Sequence, residues 1–315
     1  MTQTTIDLTG LDGQNPLGLF AALGLLRILD DHARASGLER PRLAFTATPP
    51  YIARLSWGEP LERVEERLLE DAAAQATSAA LTLAYDEQGA LCSGGSDGAT
   101  RDLKPSPASA RTYLQQAARA GRRDAALAGA LLSEMVQDNN GATKPTSFHF
   151  TAGQQAFLQM VEDLRTGVDG AALREALLGP WRNESKLPSL SWDSSVARLY
   201  ALRASNPSGE KRGSVAGANW LAVHGLAFFP VMPARGKLRT TGVEIGWKDI
   251  PFTWPLWTEL AQPGPIAALL RLDPAAFSQR SRDALGVSAV FRAQIRRTDQ
   301  GGYGSFSPAE ALLPR

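Results

Sequence analysis

The sequence predicts a helix-rich α+β fold, mixed, with short sheets in an acidic N-terminal and a basic C-terminal portion. Three observations carry that expectation. Long stretches at residues 17–35 and 61–80 have helical apolar spacing, short stretches such as 287–295 alternate like strands, and Gly, Pro, Asn and Asp clusters punctuate the chain without an internal repeat. Of 315 residues, 43% are hydrophobic and 21% charged, enough to bury a substantial core and to exclude wholesale disorder.

Residues 6–8 read as a short strand and 10–15 as a turn. Asn15 before Pro16 supplies an N-cap with proline at the first helical position. The helix they open runs to about residue 35. Its first half is apolar nearly all round (Leu17, Phe20, Leu23, Leu25, Leu26, Ile28), so burial on several sides is expected. Residues 42–48 read as a strand ended by Pro49-Pro50, 61–80 as an amphipathic helix, 81–85 as a strand and 92–98 as a flexible loop. Residues 109–137 are expected to be mostly helical, broken near Gly121, with a turn over 138–141. Residues 147–150 look extended. Thr151-Ala-Gly-Gln154 has the form of a capping box for a helix to about Arg165, and a short helix follows at 171–178.

The composition break at 180–188 is the one candidate boundary, dividing 1–180 from 181–315. Beyond it, 216–229 reads as a small-residue helix suited to close packing. Residues 253–257 read as an aromatic turn, 265–272 and 274–285 as helices, and 287–295 as a strand.

The formal net charge is +1, from 33 Lys+Arg against 32 Asp+Glu, but it is unevenly spread. Residues 1–180 carry 16 basic and 22 acidic side chains, and residues 181–315 carry 17 and 10. Arginine supplies 27 of the 33 cations, and its planar fork suits bidentate contact with phosphate or carboxylate. A basic half can also be satisfied by packing on the acidic one.

The chemistry of a catalyst is hard to find. A single cysteine, Cys92, excludes an intrachain disulfide framework and a multi-thiolate metal site. His32, His149 and His224 lack metal-ligand spacing and read as structural, His32 as exposed. Gly10, Gly13 and Gly18 follow a strand and precede a helix, yet no G-x-G-x-x-G or Walker motif is present, so these glycines are read as turn residues and no cofactor is expected. Nor do carboxylates cluster as two-metal chemistry requires. With no basic–apolar leader and no apolar run of membrane-spanning length, a cytoplasmic protein without membrane contact is expected.

Three basic clusters in the positive half are the candidate nucleic-acid-binding residues. In an extended chain, Arg235, Lys237 and Arg239 fall on one face, with the hydroxyls of Thr240 and Thr241 as added donors. If 287–295 is a strand, Arg292, Gln294 and Arg296 face away from Val287, Ala289, Phe291, Ala293 and Ile295, with Arg297 and Tyr303 following. Lys211 and Arg212 sit in a Gly/Ser/Pro loop placed to enter a groove. Guanidiniums with an amide suit phosphate tracking and base-edge contact. The alternative is the solvated face of an edge strand, where charge discourages aggregation. Trp192, Tyr200, Trp220, Trp247, Trp254 and Trp257 lie in the same half and are read mostly as core, although such rings can stack unpaired bases.

Four islands, residues 8–27 (LTGLDGQNPLGLFAALGLLR), 144–155 (KPTSFHFTAGQQ), Ser191-Trp-Asp193 with Tyr200-Ala-Leu-Arg203, and Thr253-Trp-Pro-Leu-Trp257, together resemble large-subunit proteins of type I CRISPR Cascade complexes, most closely subtype I-G (formerly I-U). That resemblance implies a non-catalytic subunit of an antiviral surveillance complex assembled around a CRISPR RNA. It would recognise a motif in double-stranded target DNA, help open the duplex and help recruit a helicase–nuclease, with guide pairing supplying most sequence specificity. The last 60 residues are too few and too strand-like for the helical bundle that often ends such subunits. Other readings are an adaptor or backbone subunit contacting guide RNA, a scaffold binding an acidic protein, and an enzyme, either a small cysteine hydrolase using Cys92 with His149 or a nucleotide-binding protein.

Overall fold

A computed structural model describes residues 4–196, 214–298 and 302–313. The N-terminal elements are β1 (Thr4–Asp12), α1 (Pro16–Ser36), β2 (Arg42–Phe45), β3 (Ile52–Trp57), α2 (Leu61–Ala74), α3 (Pro107–Ala120), α4 (Arg122–Leu131), β4 (Leu132–Gln137), β5 (Thr143–Pro145), α5 (Phe157–Gly167) and α6 (Gly170–Leu178). After them come α7 (Ala216–Gly225), β6 (Val231–Ala234), β7 (Lys237–Thr240), β8 (Ile250–Trp257), α8 (Pro263–Arg271), α9 (Gln279–Leu285), β9 (Val287–Arg297), β10 (Gly304–Phe306) and β11 (Glu310–Ala311). The architecture is α+β with antiparallel sheets.

Helix α1 is the centre of the molecule. The Asn15 side chain accepts a hydrogen bond from the Leu17 amide, Pro16 fills the first turn, and Gly37 closes the helix at φ 66° with its amide on the Ala33 carbonyl. Every residue from Pro16 to Asp30 is buried, as its unbroken apolar surface requires. Helix α7 is buried along its whole length and crosses α1 at Gly24 and Gly225. A Cβ on Gly24 would overlap the Leu221 carbonyl, and one on Gly225 the Phe20 carbonyl, so the backbones touch where side chains would normally hold helices 8–10 Å apart.

Strand β3 lies between β1 and β2 in one sheet. In the other, β9 pairs with β8 over most of its length and also with β10 and β11, while β6–β7 and β4–β5 form separate ladders. The two main sheets are joined by indoles: the Trp254 Nε1–H donates to the Gly13 carbonyl (2.9 Å) and the Trp257 Nε1–H to the Leu43 carbonyl (2.8 Å). One apolar cluster runs through β1, α1, α6, α7, β8 and β9.

Several local expectations need correction. Strand β3 was not anticipated; of its two polar residues, Arg54 faces outward and Ser56 is buried. Residues 81–85 are not a strand; Tyr85 makes only isolated bridges to Leu91 and Thr100. The helical stretch beyond Gly121 stops at Leu131 and becomes β4. Residues 147–148 form a turn, and Thr151–Gln154 does not cap α5. Its role falls to Asp102, whose carboxylate accepts from the Phe157 amide (3.1 Å). Residues 253–257 belong to strand β8, where Pro255 is paired opposite Val290.

Candidate nucleic-acid interface

Strands β6 and β7 are joined by Arg235-Gly236, with φ values of 51° and 73°. Two positive φ angles match a two-residue hairpin turn, and Gly236 accepts its angle without the Cβ penalty that Arg235 bears. The cationic row is therefore shorter than the extended-chain reading: Arg235 caps the hairpin, while Lys237 and Arg239 project from β7 into solvent. Leu238 and Thr240 point inward. Thr240 adds no outward donor, because its hydroxyl donates to Ser147 Oγ (3.0 Å) and accepts from the Ser147 amide (2.9 Å). The Thr241 hydroxyl donates to the Pro230 carbonyl (2.9 Å).

Strand β9 alternates as expected. Val287, Ala289, Phe291, Ala293 and Ile295 are buried, Arg292 and Gln294 are half-buried, and Arg296 is exposed. Arg292 donates through Nε to the Thr253 hydroxyl (3.2 Å) and stands 3.9 Å from a Glu244 carboxylate oxygen. Arg297 departs from this face. It turns inward, donating through Nη1 to the His149 and Gly302 carbonyls and through Nη2 to the Ser147 carbonyl. Burial lowers its pKa to about 10. Lys211 and Arg212 lie outside the described residues.

Arg239 of β7 and Arg292 of β9 meet across a cleft of about 520 Å³, and Arg271, from the last turn of α8, joins them. Glu244 and Asp273 also line it, the Asp273 carboxylate being committed to the Ala275 amide (3.1 Å). Arg235, Lys237, Arg239 and Arg296 form no ion pair with a described residue. In the acidic half the arginines behave differently: Asp30 is held by Arg34 (2.9 Å) and Arg40 (2.6 Å), and Asp71 by Arg123. Arg271 was missed in the sequence because a lone cation at a helix end looks like a dipole partner.

The Cys92–His149 pairing is not supported. His149 Nε2 lies 2.7 Å from Asp102 Oδ1 and 2.8 Å from the Thr151 hydroxyl, while Cys92 lines a separate small cavity with Tyr113 and Gln116. Acid and hydroxyl share one ring nitrogen, whereas a nucleophile–His–acid relay needs them on opposite nitrogens. Burial would raise the Asp102 pKa, but the His149 charge, its hydrogen bond and the Phe157 and Leu103 amides outweigh it and hold the group below its usual value. A depressed carboxylate pKa stabilises the fold above the unfolded pKa, and that contribution is lost as pH falls through the folded one. Asp102→Asn is thus expected to cost about 2 kcal/mol near neutrality. Urea unfolding at pH 7 and at about pH 3 should show that deficit narrowing in acid.

The other histidines are structural. His32 is half-buried edge-on to Trp57 rather than exposed, and His224 is buried against Trp220, where burial and the Arg123 and Arg27 charges push its pKa well below 6.5. Gly18 serves packing rather than a turn, since a Cβ there would overlap the Asp12 carbonyl. Among the described residues, no three His, Cys, Asp or Glu side chains gather to hold a metal ion, and no helix is long and apolar enough to cross a membrane.

The four sequence islands converge on the N-terminus of α1. Asn15 Nδ2 donates to Asp193 Oδ1 (2.7 Å), Trp192 Nε1 to the Phe148 carbonyl (2.9 Å), and Trp254 Nε1 to the Gly13 carbonyl. Residues 200–203 of the third island fall outside the described residues. These contacts tie the islands together in the interior, and the fourth island reaches the arginine cleft only through Thr253, the acceptor for Arg292. Comparison of the chain with protein-family models, curated proteins and solved structures found no match.

Proposed function

We propose that this chain is a non-catalytic subunit of a CRISPR RNA-guided effector complex that contacts double-stranded target DNA through the β7–β9 cleft and the β6–β7 hairpin. In that role it helps recognise a motif, open the duplex and recruit a helicase–nuclease. The carrying observation is that Arg239 and Arg292, more than 50 residues apart, line one cleft with Arg271, while Arg235 and Lys237 extend the positive surface outward. Guanidiniums on strand and helix ends suit phosphate contact, which fixes register on a duplex without reading its sequence. The resemblance of the four islands supplies the assembly in which such contact would be used.

Salt dependence of duplex binding tests the contact. Each phosphate neutralised contributes a log–log slope of about −0.9, so replacing Arg239, Arg271 and Arg292 with alanine should flatten it by up to about 2.7 units. An unchanged slope with unchanged affinity would remove the cleft from DNA binding. Purification of the tagged chain from its host tests the assembly: short RNAs of uniform length with repeat-derived ends are expected, together with a repeating backbone protein. A chain recovered without RNA would contradict the complex.

A further inference from the structure

A second cavity lies away from that cleft. It encloses about 570 Å³, between the turn after β4, strand β5, the loop before β8 and the end of β9. Three cationic side chains line it, Lys104, Lys144 and Arg297, against one carboxylate, Asp138. Asp138 is already engaged, its Oδ1 accepting from the Asn140 (2.8 Å) and Ala142 (3.1 Å) amides. Neither lysine is ion-paired to a described residue.

Arg297 is the unusual member. It is 8% exposed, donates only to carbonyl oxygens, forms no ion pair with a described carboxylate and leaves its Nε–H without a hydrogen-bond partner. A buried guanidinium without a counter-charge is costly, and an anion entering the cavity would offset that cost. Its Cζ lies 4.5 Å from the centroid of the Trp247 ring. Trp192, Trp220, Trp254 and Trp257 are at most 2% exposed, whereas Trp247 is 57% exposed. A large aromatic ring that stacks on a guanidinium, borders Gly302 and keeps more than half its surface in solvent can serve as a stacking platform.

We infer that this cavity binds an unpaired nucleotide, its base stacked on Trp247 and its phosphate drawn to Lys104, Lys144 and Arg297. The inference goes beyond the duplex contact proposed above and does not depend on it: the residues differ, and the ligand is a base freed from pairing. The nucleotide can be part of a single strand or free in solution, and the chemistry recognised is the same.

Fluorescence anisotropy of the full-length chain with a labelled 15-nucleotide oligo-dT, a duplex of equal length, and dTMP as competitor tests this. Trp247→Ala should weaken single-strand binding about ten-fold and leave duplex binding unchanged, while Trp247→Phe, keeping a ring, should recover most of the loss. Lys104→Ala with Lys144→Ala should flatten the single-strand salt slope by about 1.4 units. Competition by dTMP at comparable concentration would identify a free-nucleotide site; competition by oligonucleotide alone would identify a strand site. Because Trp247 lies outside the core, unchanged circular dichroism should accompany the variants. Equal single-strand and dTMP binding by wild type and Trp247→Ala, or no binding of either by wild type, overturns the inference. Trp247-dependent single-strand binding with no duplex binding would instead remove the proposed cleft function and leave this pocket standing.

Discussion

Alanine at Gly24 is expected to lower the stability of the chain by about 3 kcal/mol or more, and valine there to leave no folded protein in the soluble fraction. The added methyl meets the Leu221 carbonyl and the Gly225 amide, which are backbone and cannot rotate away. Nor can the helices separate: both are buried on their remaining faces, α1 against β1 and α2, and α7 against α5 and α6. Moving either one would open voids elsewhere in a close-packed interior. Gly129 supplies the control. It lies within α4 with nothing inside 4 Å of its would-be Cβ, so Gly129→Ala should stabilise the chain by about 0.5–1 kcal/mol. Urea denaturation of the two alanine variants beside wild type checks both signs, and similar shifts in the same direction would contradict the backbone-contact account.

Truncating Phe20 to alanine should cost about 3–5 kcal/mol. Its ring stands edge-on to Phe148 (4.9 Å between centroids), Phe229 (5.2 Å) and Trp192 (5.7 Å), and tilted against Phe252 (5.6 Å) and Phe306 (6.2 Å). Those partners come from the turn before α5, the segment after α6, the segment between α7 and β6, and strands β8 and β10. One deletion therefore removes contacts that hold five separate parts of the chain, and the cavity cannot collapse without shifting several of them. Phe20→Leu, which refills most of the volume, should recover the larger part of the loss. A urea midpoint for Phe20→Ala within experimental error of wild type would mean that this aromatic cluster does not hold the fold.

The two substitutions probe the same helix and draw on different information. The apolar circumference of residues 17–29 announces a buried helix, and Gly24 within it, like Gly217 and Gly225 in the second apolar helix, signals close approach. Which glycine meets which carbonyl is decided by the crossing of α1 and α7, nearly 200 residues apart in sequence. Local reading failed where tertiary contact replaced a local device. Thr151–Gln154 has the spacing of a cap, but Asp102 reaches the amide of Phe157 first. Pro255 suggests a turn, yet β8 tolerates it within a ladder lined by buried aromatic residues.

By itself the sequence determined the α+β class, the Asn15–Pro16 start of α1, the break at Gly121 and the alternation of β9, because each is written in neighbouring residues with a fixed period or cap. Tertiary structure alone decided that Thr240 turns inward, that Arg297 leaves the face of Arg292 and Arg296, that Arg271 joins Arg239 and Arg292, and that Trp247 of the seven tryptophans stays open to solvent. The physical reason is that periodicity specifies which side of an element is apolar, whereas the meeting of polar side chains depends on how distant elements stack, and stacking leaves no local pattern to read.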